Sequence, residues 1–220
     1  MKVLFNISLI VFTLFFITCN SEQKSAQEAP LFIDGIYKIN KLESSVEWTA
    51  SKENNNVSGT VDLNDGEFKV LDGNIKSGKF VIDMYSIDAA EENAKDRNDL
   101  NNELKSEEFF NVNSYAIALF DIDKIEAKKE ENTTHLVSGK LTIMGVTNDI
   151  SFPANFSADS TKISANAVFK IDRTKWNVNH NSSTAEKDTP AEKVIKDEIE
   201  FKINILTKIL SDEIDFTQMD

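Results

Sequence analysis

Ile163-Ser164-Ala165-Asn166-Ala167-Val168-Phe169-Lys170-Ile171 puts an apolar residue at every second position, with mostly polar residues between. A strand sends successive side chains to opposite faces, so this run is a strand with one dry face and one wet face. The same period spreads outward in both directions. Upstream it governs Val46-Trp48-Ala50, Val57-Gly59-Val61-Leu63, Gly78-Phe80-Ile82-Met84, Val137-Gly139-Leu141-Ile143 and Ile150-Phe152-Ala154-Phe156, and downstream Ile199-Phe201-Ile203-Ile205. Turn signals separate the runs at Asn64-Asp65-Gly66, Leu71-Asp72-Gly73-Asn74, Met144-Gly145 and Ala158-Asp159-Ser160. About eight strands joined by short turns predict an all-β, antiparallel sandwich or up-and-down barrel.

An eight-stranded barrel has an interior just wide enough for side chains or for one small ligand. Parity points Trp48, Val61, Phe80, Ile82, Met84, Phe120, Leu141, Ile143, Phe152, Phe169 and Phe201 inward. The small inward residues Ala50, Gly59, Gly78, Ala165 and Ala167 either interlock with these rings or leave a channel, and periodicity leaves both readings open.

Two stretches break the period. Residues 91–110 have helix-forming composition and open acidic, which suits the positive N-terminus of a helix. Their apolar residues Ala94, Leu100, Leu104 and Phe109 are too few for a core helix, so a short helical insertion over a sheet edge or a barrel mouth is expected. Asn177 to Ala191 is polar and holds Pro190, which predicts a long surface loop.

The chain opens with Lys2, an apolar run from Leu9 to Ile17, and its single cysteine, Cys19. A basic start and a short apolar core are marks of an export signal, and the core is too short for a spanning helix. Phe16-Ile17-Thr18-Cys19 resembles the lipobox of bacterial lipoproteins, which implies a signal over residues 1–19 and lipid attachment at Cys19. Residues 20–34 then read as a flexible tether, 35–207 as the folded domain and 208–220 as a C-terminal tail. The expected location is outside the cytoplasm, on the periplasmic face or the cell surface of the outer membrane.

The whole chain carries 24 Lys and Arg against 37 Asp and Glu, a net charge of −13. That balance argues against nucleic acid, which needs a basic footprint. It also argues against adsorption on anionic head groups, so the acyl chains would supply the membrane contact. With one cysteine no intramolecular disulfide forms, and stability rests on packing.

Four segments in order carry a resemblance: Val57-Ser-Gly-Thr-Val61 with Val81 to Asp88; Arg97-Asn-Asp-Leu100 with Glu108 to Val112; Val137 to Thr147; and Ile171 to Val178. Together they resemble the YceI-like family of polyisoprenoid-binding periplasmic proteins, from about Gly35 to Thr207. The resemblance implies an extended lipocalin-like antiparallel barrel whose apolar channel holds an isoprenoid chain, such as a quinone or a polyprenyl carrier, and a binder or carrier with no catalytic role. No cofactor is implied. Asn111, Ala116, Asn148 and Asn177 stand where the family often has an acid, a proline, a lysine and a glycine.

Arg97 and Arg173 are the only arginines among the 24 basic residues. Two readings apply: a bidentate grip on a ligand oxygen at the mouth, or internal ion pairs, Arg97 with Asp99 or a facing acid and Arg173 with a neighbouring carboxylate. Phe109-Phe110 either plug one end of the channel or pack the helix down. Trp176 either stacks on a ligand head or anchors the core. Catalytic signals fail on inspection. Gly73 to Lys79 has phosphate-loop spacing but Phe80 where a hydroxyl is needed, and Asp62 to Gly66 lacks the calcium-loop register. His135 and His180, expected on wet surface or in loops, have no cysteine to complete a zinc set. An enzyme using Asp172, Arg173 or His180 has no nucleophile and base pair to stand on. The remaining alternative is a surface interaction lipoprotein with a packed core.

Overall fold

The computed structural model describes residues 32–210, apart from 54, 131–132, 160 and 187. The signal, Cys19, most of the tether and residues 211–220 lie outside the described residues. Nine strands follow the alternating runs: β1 (Gly35–Ile39), β2 (Ser45–Lys52), β3 (Asn56–Leu71), β4 (Asn74–Ala89), β5 (Ile117–Glu130), β6 (Thr133–Ile143), β7 (Val146–Ala158), β8 (Ile163–Asp172) and β9 (Ile195–Ile209). One helix, α1 (Ala94–Lys105), lies between β4 and β5. Neighbours run β3-β2-β9-β8-β7-β6-β5-β4, and β4 pairs back onto β3, so the sheet closes into a barrel.

Nine strands fill eight positions because β1 and β2 share one. β1 pairs with Glu67 to Val70 of β3 and with Thr207 to Ile209 of β9, while β2 pairs with the opposite halves of the same two strands. Closure of this kind leaves no long strand edge free to recruit another chain.

The hairpins follow turn chemistry. Asp72-Gly73 and Met144-Gly145 all take positive φ, at 53°, 66°, 49° and 73°, the geometry that matches the twist of two-residue hairpins. The Asp34 carboxylate accepts the Asp72 and Gly73 N–H groups at 3.0 and 2.8 Å. Asn64-Asp65-Gly66, expected as a turn, is instead a bulge inside β3. Asn64 and Asp65 both face solvent, and inward parity resumes at Gly66, Phe68 and Val70. One extra residue preserves the dry face that an unbroken alternation would have turned outward.

The expected boundaries shift slightly. The last residues of the expected tether are packed: Phe32 is buried and the Ile33 carbonyl accepts the Tyr37 hydroxyl at 2.9 Å. β9 continues to Ile209, two residues beyond the expected domain end. The helix is confined to Ala94–Lys105, with Asn93 accepting the Lys95 and Asp96 N–H groups as its N-cap. The loop after Trp176 is only partly a surface loop, since Val178 and Ser182 are fully buried.

The barrel's two ends differ. α1, the 3₁₀ turn Arg173–Trp176 and the start of β9 gather at one end. The opposite end carries the β3–β4 turn and both ends of the described chain. It is closed by a packed plug of Tyr37, Val70, Ile75, Ile163 and Thr207, with Tyr37, Ile163 and Thr207 at 0% exposure. The Thr207 hydroxyl donates to the Ile163 carbonyl at 3.1 Å and accepts the Ile163 N–H at 3.0 Å, so the plug's buried polar atoms are satisfied.

Gly59 faces Trp48 across the β2–β3 pair, and a methyl group there would overlap both the Asp88 carbonyl oxygen and the Trp48 ring. Gly59→Ala is expected to cost about 2–3 kcal/mol as an overpacked site. Urea titration followed by Trp fluorescence reads this directly, and an unchanged midpoint would refute the fit described here.

Candidate functional site

Between the plug and α1 the barrel is hollow. The cavity has a volume of about 230 Å³. It runs along β9 from Ile195 to Ile205, ten residue steps of ~3.3 Å on a tilted strand, or roughly 25 Å along the axis. Inward residues such as Phe120, Ile150, Phe169, Ile199, Phe201 and Ile203 keep part of their surface uncovered although they point to the interior. That is the mark of a lumen rather than a filled core. The open question left by periodicity is resolved toward a channel.

Six aromatic rings form a belt on the lumen wall. Phe152 stacks on Phe169 with centroids 4.0 Å apart and an interplanar angle of 10°, and Phe169 lies 5.8 Å from Phe201. Phe120 flanks Phe152 at 5.7 Å, and Trp48 pairs across from Phe201. Phe80, opposite Phe120, completes a belt across β4, β5, β7, β8, β9 and β2. Glycines seat three of these rings. A Cβ on Gly59 would meet Trp48, one on Gly66 would meet Phe80 at 2.5 Å, and one on Gly139 would meet Phe120 at 3.0 Å.

The eleven residues that parity points inward are on this wall, and so is Phe110: Trp48, Val61, Phe80, Ile82, Met84, Phe120, Leu141, Ile143, Phe152, Phe169 and Phe201. Sequence reasoning left others off. Ile150, Ile199 and Ile203 sit in the same alternating runs and were legible by parity. Phe68 was hidden by the β3 bulge, which reverses parity before it. Lys52 shares the inward parity of Trp48 and Ala50, and Leu100, Glu103 and Leu104 reach the cavity from one face of α1.

The end under α1 is where polar groups gather: Lys52, Glu103 and Arg173 line the cavity there beside Leu104, Phe109 and Phe110. His180 lies at this rim. Its Nε2 is 3.6 Å from Glu103 Oε1, its Nδ1 3.7 Å from Glu108 Oε2, and its ring meets Phe109 edge-on at 5.0 Å. His180 is therefore a half-buried link between α1 and the loop after Trp176, and not a free surface residue. His135 is half-buried too, edge-on to Phe156 at 5.2 Å, and burial lowers its pKa.

Both arginines are bonded to backbone carbonyls. Arg97 donates from Nε and Nη2 to the Glu91 carbonyl at 2.9 and 2.6 Å, closing the chain before α1. The expected Arg97–Asp99 pair does not form, because Asp99 pairs with Lys95 one helical turn away. Arg173, 4% exposed, donates to the carbonyls of Val178, His180 and Ile195 at 2.8, 2.8 and 3.0 Å. Asp197 stands 3.8 Å from it as counter-charge, and burial pulls the guanidinium pKa below its ordinary value against that carboxylate. Asp172 caps the turn that aims Arg173 inward, accepting the Thr174 N–H at 3.0 Å and its hydroxyl at 2.6 Å. Trp176 is an anchor of the cavity end, 1% exposed, with Nε1 donating to the Leu141 carbonyl at 2.8 Å.

The asparagines that depart from the family pattern have structural roles. Asn177 and Asn111 take left-handed φ of 62° and 43°, which Asn tolerates better than most residues. Asn148 donates to the Lys175 carbonyl at 2.8 Å and ties β7 to the turn. Among the described residues, no group of three or more His, Cys, Asp or Glu is placed to hold a metal ion.

The fold and its hollow, one-ended cavity define a small lipocalin-like barrel. The profile of the YceI-like domain matches residues 37–206. The chain belongs to the YceI-like family. Its fold is shared with the crystal structure of Burkholderia cenocepacia BcnA, 20% identical, with a TM-score of 0.62, covering 76% of this chain and 98% of that one. It is shared also with a polyisoprenoid binding domain from Saccharophagus degradans implicated in plant cell wall breakdown, 15% identical, TM-score 0.59, covering 79% and 98%. A search of curated proteins finds no match.

Arg173 spreads its fork over four carbonyls, the Lys196 carbonyl accepting Nε–H at 3.4 Å beside those of Val178, His180 and Ile195, and a lysine ammonium with three N–H groups at one point cannot reach them all. Arg173→Lys is expected to destabilise the fold by about 2–4 kcal/mol, and to speed proteolysis within residues 177–190. Limited trypsinolysis with mass mapping checks this; an intact loop would refute the clamp.

Proposed function

We propose that this protein binds an isoprenoid-like lipid, a quinone or a polyprenyl carrier, with its tail in the barrel and its head at the α1 end. The observation that carries the reading is the long apolar lumen, closed at one end and polar only near the other. A small apolar cavity can remain dry and take up apolar guests. Moving a tail from water into it gains about 0.8 kcal/mol per CH₂. Moving the same tail from a bilayer gains little, because hydrocarbon is already apolar there. A site with that balance suits exchange with a membrane and protection in transit, which are the tasks of a carrier. The Saccharophagus degradans relative is itself described as a polyisoprenoid binding domain.

The reading is of binding without catalysis: Asp172, Arg173 and Trp176 are all engaged in holding the fold. α1, with Leu100, Leu104, Phe109 and Phe110 over the lumen, serves as the gate. Export and lipidation at Cys19 complete the proposal, with the membrane as the anchor's partner. The described chain begins at the plugged end, so a tether from Cys19 would leave the barrel opposite its mouth.

Protein expressed from residue 20 onward, purified gently and examined by native mass spectrometry with solvent extraction, should carry or take up a prenyl compound. Ala167 lies on the wall opposite Ile203, and Ala167→Phe should block the lumen midway. It is expected to lower tail uptake by about tenfold or more, ~1.4 kcal/mol, with an unchanged circular dichroism spectrum. A folded variant that binds as well as the parent would sink the proposal.

A further inference from the structure

Resting on the lipid-binding reading, we infer that the lipid tail enters the lumen sideways, through a slit in the barrel wall between β7 and β8. The slit is a gap in the hydrogen-bond ladder. β7 pairs with β6 from Val146 to Ala154, and β8 pairs with β9 from Ser164 to Asp172. Among the described residues, β7 and β8 pair with each other only over Asn155–Ala158 and Ile163–Asn166. From Ala154 and Ala167 up to the α1 end, the two strands run side by side without a ladder.

The sequence supplies the cause. The Ala154 carbonyl accepts the Thr134 hydroxyl at 3.4 Å, and the Phe156 N–H donates to the same hydroxyl at 3.0 Å. Both groups therefore point at β6. Backbone polar groups alternate sides along a strand, so those of Pro153 point at β8. Proline has no N–H to give, and a ladder is not continued through it. Pro153 stands at the first outward position beyond the last pair, where the register continued from Asn155 and Asn166 sets it opposite Val168.

Side chains close the slit instead. The Phe152 and Phe169 rings stack across it, 4.0 Å apart, on the lumen side. On the outside, Pro153 is exposed and Val168 is 56% exposed, so the outer lip is apolar. A groove runs along that lip, and Ala154, Asn166, Ala167 and Ile203 line both the groove and the lumen. A single layer of mostly small residues separates the two spaces. At the rim, the Asn148 side chain donates to the Lys175 carbonyl at 2.8 Å and latches β7 to the turn that follows β8. The two edges face each other across the stacked rings, so neither is offered to another chain. Parting them breaks no backbone ladder, which makes this the part of the wall that opens most readily. Because the slit reaches the α1 end, a tail can pass through it while its polar head travels outside, in water, to the mouth. End-on entry would instead thread the whole tail past Leu104, Phe109 and Phe110.

The test is to lock the slit. The chain from residue 20 onward has no cysteine, so Ser151→Cys with Lys170→Cys places one thiol on each lip at exposed positions. A methylene-spaced bis(methanethiosulfonate) bridges them, and dithiothreitol removes the bridge. The protein is mixed with phosphatidylcholine vesicles carrying geranylgeraniol, separated from them by gel filtration at timed intervals, and extracted to quantify the alcohol taken up. The bridged protein is expected to take it up about tenfold more slowly, or slower still, than the same protein after reduction. Ser138→Cys with Ser151→Cys, bridged in the same way across the β6–β7 pair that is already laddered, is expected to keep the parent's rate. Equal rates for the bridged and reduced Ser151/Lys170 variant overturn the inference, as does equal slowing by the β6–β7 bridge. Uptake by neither the variants nor the parent overturns the lipid-binding reading itself, an outcome distinct from loss of the side entrance.

Discussion

The seating of aromatic rings against glycines is the constraint on which the rest of this structure depends. An eight-position barrel with many inward phenylalanines has enough ring volume to choke its own axis. Here Gly59, Gly66 and Gly139 leave room at the wall for Trp48, Phe80 and Phe120, whose rings sit where a larger residue's Cβ would be. Phe152, Phe169 and Phe201 then stack side by side on neighbouring strands. The rings cover the backbone with apolar surface and leave the axis empty. Close packing, the rule for protein interiors, is kept within the wall and the plug and given up in the lumen.

The two ends use their buried polar groups differently. At the plugged end Thr207 and Tyr37 satisfy backbone partners inside a tight core. At the α1 end Arg173 gathers four carbonyls from the loop and from β9, and so shapes the frame around the cavity end. Because His180 gives its carbonyl to that clamp, its ring is held beside Glu103 and Glu108. The residue that looks most like a ligand anchor is therefore a positioning residue.

Much of this was legible from period two. Strands and inward faces follow from alternation, since a one-residue slip would expose the whole apolar face. Phe68 escaped because a bulge reverses parity at Asn64-Asp65, and nothing local distinguishes Asn-Asp-Gly in a bulge from the same residues in a turn. The Arg97–Asp99 pair failed for a reason equally hard to read. Both arginines found backbone carbonyls, and such acceptors belong to the path of the chain rather than to side-chain identity.

The sequence by itself determined the strands, the all-β antiparallel class, the absence of an intramolecular disulfide, and the family motifs that run through the barrel. Those follow from local periodicity, composition and motif order. Only the tertiary structure decided that the barrel is hollow, that β1 and β2 share one position, that one end is plugged, and that the arginines are spent on carbonyls. Each of these depends on which residues meet across distant strands. Ring against glycine, and guanidinium against loop carbonyl, are pairings that closure creates and that no stretch of sequence contains.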